Sequence, residues 1–295
     1  MSRILSRRRT NISFEFFPPK SEAASERLFN TISQLAPLEP CYVSVTYGAG
    51  GTTRKLTYDL ILKIREQVDI PVVSHLTCVG ASRHEIYDIL AQYNNSGINN
   101  VLALRGDPPK GETDFTQPKD GFAYASELVA YIREHFPKMG IGVAGFPEGH
   151  PKTPNRLKEI EYLKRKVDAG ADYICTQMFF DNRDFYDFCE RCECAGIDVP
   201  IIAGLMPITS RTGMERMADL AAGSRIPAKL LKAIERAETD EYVENVGIHW
   251  ATHQAMDLID NGVDGIHFYT LNKSKASLRI YEVLGVTTSR PLWNS

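Results

Sequence analysis

Eight short β-rich runs alternate with amphipathic helical stretches, and this alternation constrains the fold more than any other feature of the chain. The runs are "ISFEFF" from Ile12, "CYVSVTY" from Cys41, "VVSHLTC" from Val72, "NVLALRG" from Asn100, "IGVAGF" from Ile141, "YICTQMFF" from Tyr173, "VPIIAGL" from Val199 and "GIHFYTL" from Gly265. Helical segments such as "SEAASERLFNTISQL" and "RLKEIEYLKRKVDAG" follow them, the second ending at Gly170, a residue type that closes helices. Strands alternating with helices build a parallel sheet. Eight units without a dinucleotide fingerprint predict the α/β class and a closed (β/α)₈ TIM barrel, with an open doubly wound sheet as the alternative. Extra helical sequence, about 227–261, precedes the last strand. The glycines of "GAGGTT" from Gly48 lack both the GxGxxG spacing and the P-loop pattern.

A chain of 295 residues fits one such barrel, so a single catalytic domain is expected, with residues 1–11 as a flexible tail. The formal net charge of −3 gives no basic field for nucleic acid. "RRR" at Arg7–Arg9 reads as part of the solvated tail. No run approaches the roughly 20 apolar residues of a membrane span, and no signal-peptide pattern follows the basic start, so a cytoplasmic protein is expected. The cluster Cys189, Cys192 and Cys194 falls in a helix-like segment without a matching second ligand pair, which favours reduced thiols over a metal site.

Reactive groups of a barrel sit where its strands end. Those positions hold Thr46, Tyr47, His75, Thr77, Arg105, Gly106, Asp107, Phe146, Glu148, His150, Gln177, Tyr269 and Asn272. Glu15 belongs with them. Side chains alternate along a strand, so Ile12, Phe14 and Phe16 share the face toward the helices, while Ser13 and Glu15 face the barrel interior. No strand-end lysine suits a Schiff base, and His75 with Asp107 makes a thin metal set. Two carboxylates, Glu15 and Asp107, leave a glycosidase open. One tuned acid with polar groups over an apolar bed fits a cofactor enzyme best.

The motifs "SFEFFPPK", "VSVTYGAGG", "HLTC", "LALRGDPP", "YASEL", "LKRKVDAGAD", "TQMFFD" and "HFYTLN" occur in this order over about 12–286. Together they resemble the methylenetetrahydrofolate reductase family in its bacterial single-domain form. The resemblance implies non-covalent FAD, reduced by NADH or NADPH, which then reduces 5,10-methylenetetrahydrofolate to 5-methyltetrahydrofolate in a ping-pong scheme. A flavin-free transfer on the same scaffold is the alternative, and a homo-oligomer is implied.

By the same resemblance, Glu15 is the general acid, its aromatic surround expected to raise its pKa, and Asp107 stabilises the cationic folate intermediate. Gln177 binds the pterin, and Thr46 and Lys273 also contact substrate. FAD contacts fall on Thr46, Tyr47, Ala49, His75, Arg105, Gly106, Asp107, Tyr124, Ala125, Phe146 and His150. They extend to Glu159, Tyr162, Arg165 and Lys166, which spacing predicts on one helix face. The chain departs from the family pattern at Met217, where relatives often carry a stacking aromatic. Gly213 stands for a glutamine, Lys273 for an arginine and Phe146 for a tyrosine.

Overall fold

Each apolar run becomes a strand, and the eight strands close on themselves. In the computed structural model, which describes residues 5, 10–47, 54–107, 115–153, 155–220 and 223–294, every neighbouring pair is parallel and β1 pairs with β8. The strands are β1 Asn11–Phe16, β2 Tyr42–Val45, β3 Val72–Thr77, β4 Asn100–Leu104, β5 Gly140–Gly145, β6 Tyr173–Thr176, β7 Ile201–Leu205 and β8 Gly265–Tyr269. The helices between them are α1 Glu22–Leu35, α2 Arg54–Gln67, α3 Arg83–Asn95, α4 Ala125–His135, α5 Arg156–Asp168, α6 Asn182–Cys194 and α7 Arg211–Leu220. Two further helices, α8 Ala228–Arg236 and α9 Asp240–Asp260, precede β8, and α10 Lys275–Leu284 follows it. This is the (β/α)₈ barrel, with the expected excursion before its last strand.

Local chemistry sets the helix ends. Ser21, Ser82, Asn155, Asp181 and Thr239 cap α1, α3, α5, α6 and α9 by accepting backbone N–H bonds, and Ser82 with Glu85 forms a reciprocal capping box. Gly170 follows α5 at a φ of 115°, in a region closed to most side chains.

Alternation along β1 divides two cores. Phe14 faces outward, its ring 6.0 Å from Phe268 of β8 and 6.5 Å from Tyr281 of α10. Ser13 and Glu15 face inward, paired in register with His267 and Tyr269 of β8. A separate cluster of Leu5, Tyr42, Val73, Leu102, Tyr173, Cys175 and Ile202 fills the inside of the barrel. Leu5 is thus packed rather than free, and Thr10 donates to Val263 O, so the expected loose tail over 1–11 is corrected at these positions. An apolar anchor at residue 5 lies too far from any periodic segment for pattern reading to find it.

The excursion is stitched down by polar side chains of α9. Trp250 Nε1 donates to Phe180 O, and Gln254 Nε2 donates to Phe179 O and Asn182 Oδ1. Beneath α8 and α9 lies a satellite core that includes Met178, Met206, Ile208, Leu230, Ile234 and Val243.

Candidate active site

The C-terminal ends of the strands carry two groups of side chains. The first surrounds Glu15, which is 5% exposed. Its Oε2 lies 3.3 Å from His75 Nε2 of β3 and 3.6 Å from His267 Nε2 of β8. His75 Nε2 meets the carboxylate at ion-pair distance, outside good hydrogen-bond geometry. Thr270 Oγ1 donates to the Glu15 carbonyl at 2.6 Å, fixing the backbone that carries the acid. Just beyond, Asn272 accepts from Phe17 N and donates to Phe17 O, clamping the ends of β1 and β8 together.

The expectation that an apolar surround raises the Glu15 pKa is corrected. Burial, the largest influence, does push the carboxyl up, but the close polar contacts and positive charge of His267 and His75 outweigh it and hold it at about 2. The carboxylate is the ionised member of a carboxylate–imidazole cluster. The residue that sequence reading missed is His267. Alternation along β8 could have found it, since 265, 267 and 269 share the face opposite Ile266 and Phe268.

The second group comes from β4, β5 and β6 and the segments after them. His150 is half-buried, its ring 4.8 Å from Phe146 and edge-on to it. Burial lowers its pKa, as do the cations Arg105 and Lys166, while Asp107 opposes them. These four charged or titratable groups therefore share one field. Gln177 follows β6, its Oε1 accepting from Met178 N at 3.0 Å, and lines a shallow cleft with Phe146 and Glu148. Thr46 and Tyr47, half-buried, follow β2. Asp107 is exposed at the rim, and Lys273 is exposed beyond β8.

The α5 residues divide. Glu159 is buried and accepts from His150 N at 3.0 Å. Lys166 turns inward and donates to Ala144 O at 2.6 Å, and burial pushes it down to about 8. Arg165 is exposed and rests over the Tyr162 ring. The four do not present one face as expected, because Arg165 lies about a quarter of a turn from the line through Glu159, Tyr162 and Lys166. Tyr124, at the start of α4, is 62% exposed, and Ala125 beside it is half-buried. Ala49 lies outside the described residues, as does the Met217 side chain. Gly213 sits in the first turn of α7, its N–H donating to Ser210 Oγ.

Three features bear on whether this mouth fits a large polar cofactor. At the end of β3, the buried Thr77 Oγ1 has no hydrogen-bond partner among the described residues, and His75 Nε2 has none beyond its 3.3 Å approach to Glu15. Such atoms are costly unless a ligand satisfies them. Gly106 has a φ of 86°, and a Cβ there would lie 2.9 Å from Thr77 and Val79, so the chain passes close without a side chain. Arg105 and Lys166 supply positive charge. Together these residues fit an anionic, hydrogen-bonding ligand.

The sequence pattern of the family described as "Methylenetetrahydrofolate reductase" matches residues 1–285. The 5,10-methylenetetrahydrofolate reductase of Escherichia coli is 39% identical over 277 residues, covering 94% of this chain and 91% of that protein. Methylenetetrahydrofolate reductase (NADH) 1 of Arabidopsis thaliana is 41% identical over 288 residues, covering 94% of this chain but 48% of that protein. The chain therefore spans about half the length of the plant relatives it matches. Among solved structures, a Clostridium thermocellum protein that binds two copies of 5-methyl-5,6,7,8-tetrahydrofolic acid superposes with a TM-score of 0.67 at 16% identity, covering 96% of this chain and 98% of that one. At that identity the likeness is one of fold.

Proposed function

The chain belongs to the methylenetetrahydrofolate reductase family, and on that premise we propose that it reduces 5,10-methylenetetrahydrofolate to 5-methyltetrahydrofolate, with NADH or NADPH as donor and FAD as cofactor. The observation that carries this reading is Glu15: an ionisable acid on the inner face of β1, buried against two imidazoles at the mouth of a barrel. Bound FAD would supply a two-electron carrier that accepts hydride from the nicotinamide and passes it to the folate, the two substrates entering in turn.

Each part of the chain then has its own task. His75, Thr46, Tyr47, Arg105, Gly106 and Phe146 hold the flavin ring side, with Lys166 offering charge and His150 a ring N–H to the phosphates. Glu159 acts on that contact from behind, by fixing the His150 backbone. Tyr124, Ala125, Tyr162 and Arg165 form the outer rim. Glu15 delivers a proton to the folate nitrogen that leaves when the five-membered ring opens. Asp107 offers a negative charge to the cation so formed. The Gln177 carboxamide offers donors and an acceptor to a flat heterocycle edge. Lys273 offers charge to the folate tail, without the bidentate fork of an arginine. The same reading expects a cytoplasmic, self-associating enzyme.

The test is the spectrum of the purified protein. It should be yellow and release FAD on denaturation. A colourless protein that still reduces the folate would instead support direct hydride transfer from the nicotinamide. Gly106→Ala should weaken flavin binding about tenfold, since a side chain at positive φ is strained by roughly 1–2 kcal/mol and also meets Thr77. Titration of flavin-free protein with FAD, followed by fluorescence quenching, measures this, and unchanged affinity would count against close approach at that backbone.

A further inference from the structure

The two imidazole neighbours of Glu15 are not equivalent. His75 stands at the end of β3, its Nε2 3.3 Å from Glu15 Oε2 and without an aligned hydrogen bond among the described residues. His267 lies deeper, its side chain 2% exposed. Its Nδ1 is 2.7 Å from Ser13 Oγ, and its Nε2 is 3.3 Å from Ser44 Oγ and 3.6 Å from Glu15 Oε2. One face stacks on Tyr42 at 5.9 Å and 15°, and Tyr269 meets the ring edge-on at 5.2 Å. Held at both nitrogens and packed by aromatic rings, it cannot turn away from the carboxylate. A neutral ring has only one N–H. With that N–H directed at Ser13, a bare Nε2 lone pair would face the Glu15 carboxylate; with it directed at Glu15, the Ser13 hydroxyl would have to turn from Ile266 O, 3.5 Å away, to donate to Nδ1. A ring protonated at both nitrogens meets an acceptor at each.

We propose that Glu15 and His267 share one exchangeable proton, stored on the ring and handed to the carboxylate when folate enters, which makes His267 a positioning residue for the acid step. This deepens the reductase reading and rests on it. First the Nε2–H bond breaks as an O–H bond forms on Glu15, leaving neutral imidazole. Next that O–H bond breaks as an N–H bond forms on the departing folate nitrogen. The C–N electron pair stays on that nitrogen, and the other ring nitrogen's lone pair closes the iminium. The pair thus goes from net zero to one negative charge while the substrate gains one positive charge, and solvent returns the proton after turnover.

The second imidazole, His75, stands 3.3 Å from the same carboxylate. His75 of β3, Tyr42 of β2, Cys175 of β6 and Tyr269 of β8 face the pair. Burial pushes Tyr42, Cys175 and Tyr269 upward, so they stay neutral near pH 7. A pair that can hold one proton at either of two sites loses it at a higher pH than the carboxyl alone.

The experiment compares flavin-loaded wild type, His267→Gln and Ser13→Ala in single-turnover folate reduction across pH. The alkaline limb of His267→Gln should move to lower pH by about one unit or more, an added loss of about tenfold at the alkaline end. Ser13→Ala should shift it the same way by less, and carries the test if His267→Gln does not fold. The pH profile of the nicotinamide half-reaction should keep its shape. Independently of activity, ¹⁵N-histidine NMR of the protein as purified should show, at pH 7, a ring protonated on both nitrogens whose signals vanish in His267→Gln and move in Ser13→Ala. A pH-independent fall in rate, or a ring carrying a single N–H, would overturn the shared proton while leaving the reductase reading intact. A yellow wild type that reduces no folate would overturn the reading itself, and the NMR result would still decide where the proton sits.

Discussion

Glu15→Gln should slow the folate half-reaction by about 10²–10⁴-fold, the span that a positioned proton donor contributes. Flavin reduction by the nicotinamide should proceed at close to the wild-type rate, because that step needs no proton from Glu15. The amide is nearly isosteric with the carboxyl and can still meet His75 and His267, so the variant should fold and bind flavin. It cannot yield a proton to a leaving nitrogen. Anaerobic stopped-flow on the two half-reactions separates these effects, and a folate step within about threefold of wild type would remove Glu15 from the chemistry. If both half-reactions fell together, the side chain would be supporting the flavin site instead.

Gly247→Ala should be the most destabilising small substitution in the excursion. Gly247 lies within α9 where the helix crosses the segment after β7, and a Cβ there would stand 1.8 Å from Ile208 O and 2.7 Å from Ile208 C. The obstruction is backbone, so no rotamer change relieves it, and α9 must move away from the barrel. Overpacking of this kind costs about 3 kcal/mol. For a chain of this size that corresponds to a melting temperature lower by about 6–10 °C. Ile208 lies between Pro207 and Thr209, which line a small cleft with Tyr269 and Lys273, so substrate affinity should weaken as well. Thermal unfolding followed by circular dichroism measures the stability effect. A change below about 2 °C would mean that α9 packs further from Ile208 than the structure has it.

These two positions mark what the sequence could and could not disclose. The eight strands and the excursion were legible because burial enforces a period, and the period survives in the residues. The inward direction of Glu15 was legible for the same reason, from Ile12, Phe14 and Phe16 on the opposite face. The charge state of Glu15 was not, because it depends on His267, 252 positions away and adjacent only once the barrel closes between β1 and β8. An aromatic neighbourhood in sequence is not a dry one in space: Phe14 and Phe16 point away from the acid, and imidazoles fill its side. The α5 residues show a smaller version of this limit. Spacing put charged groups on neighbouring turns, but whether Lys166 reaches inward and Arg165 outward depends on helix rotation against β5 and β6. At Gly247 the need for glycine arises from another segment's backbone, which leaves no local signal.

The resemblance and the geometry meet at the barrel mouth. Glu15, Asp107 and Gln177, which the resemblance implies as acid, charge and pterin contact, fall at or just after the ends of β1, β4 and β6, and the buried His75 Nε2 and Thr77 Oγ1 lie at the end of β3. Arg225 ties the segment before α8 to this rim, donating to Glu148 after β5 and to Asp184 at the start of α6. The rim is thus held by charge on one side and by the Asn272–Phe17 clamp on the other.

The central claim is that a proton delivered through Glu15 unlocks the folate for hydride delivered through bound flavin. The most direct measurement mixes the purified protein anaerobically, first with NADH or NADPH and then with 5,10-methylenetetrahydrofolate, while following flavin absorbance. The account predicts bleaching in the first mix, return of the oxidised spectrum in the second with 5-methyltetrahydrofolate formed in equal amount, and loss of the second phase alone in Glu15→Gln. Reoxidation by the folate at an undiminished rate in that variant would contradict it.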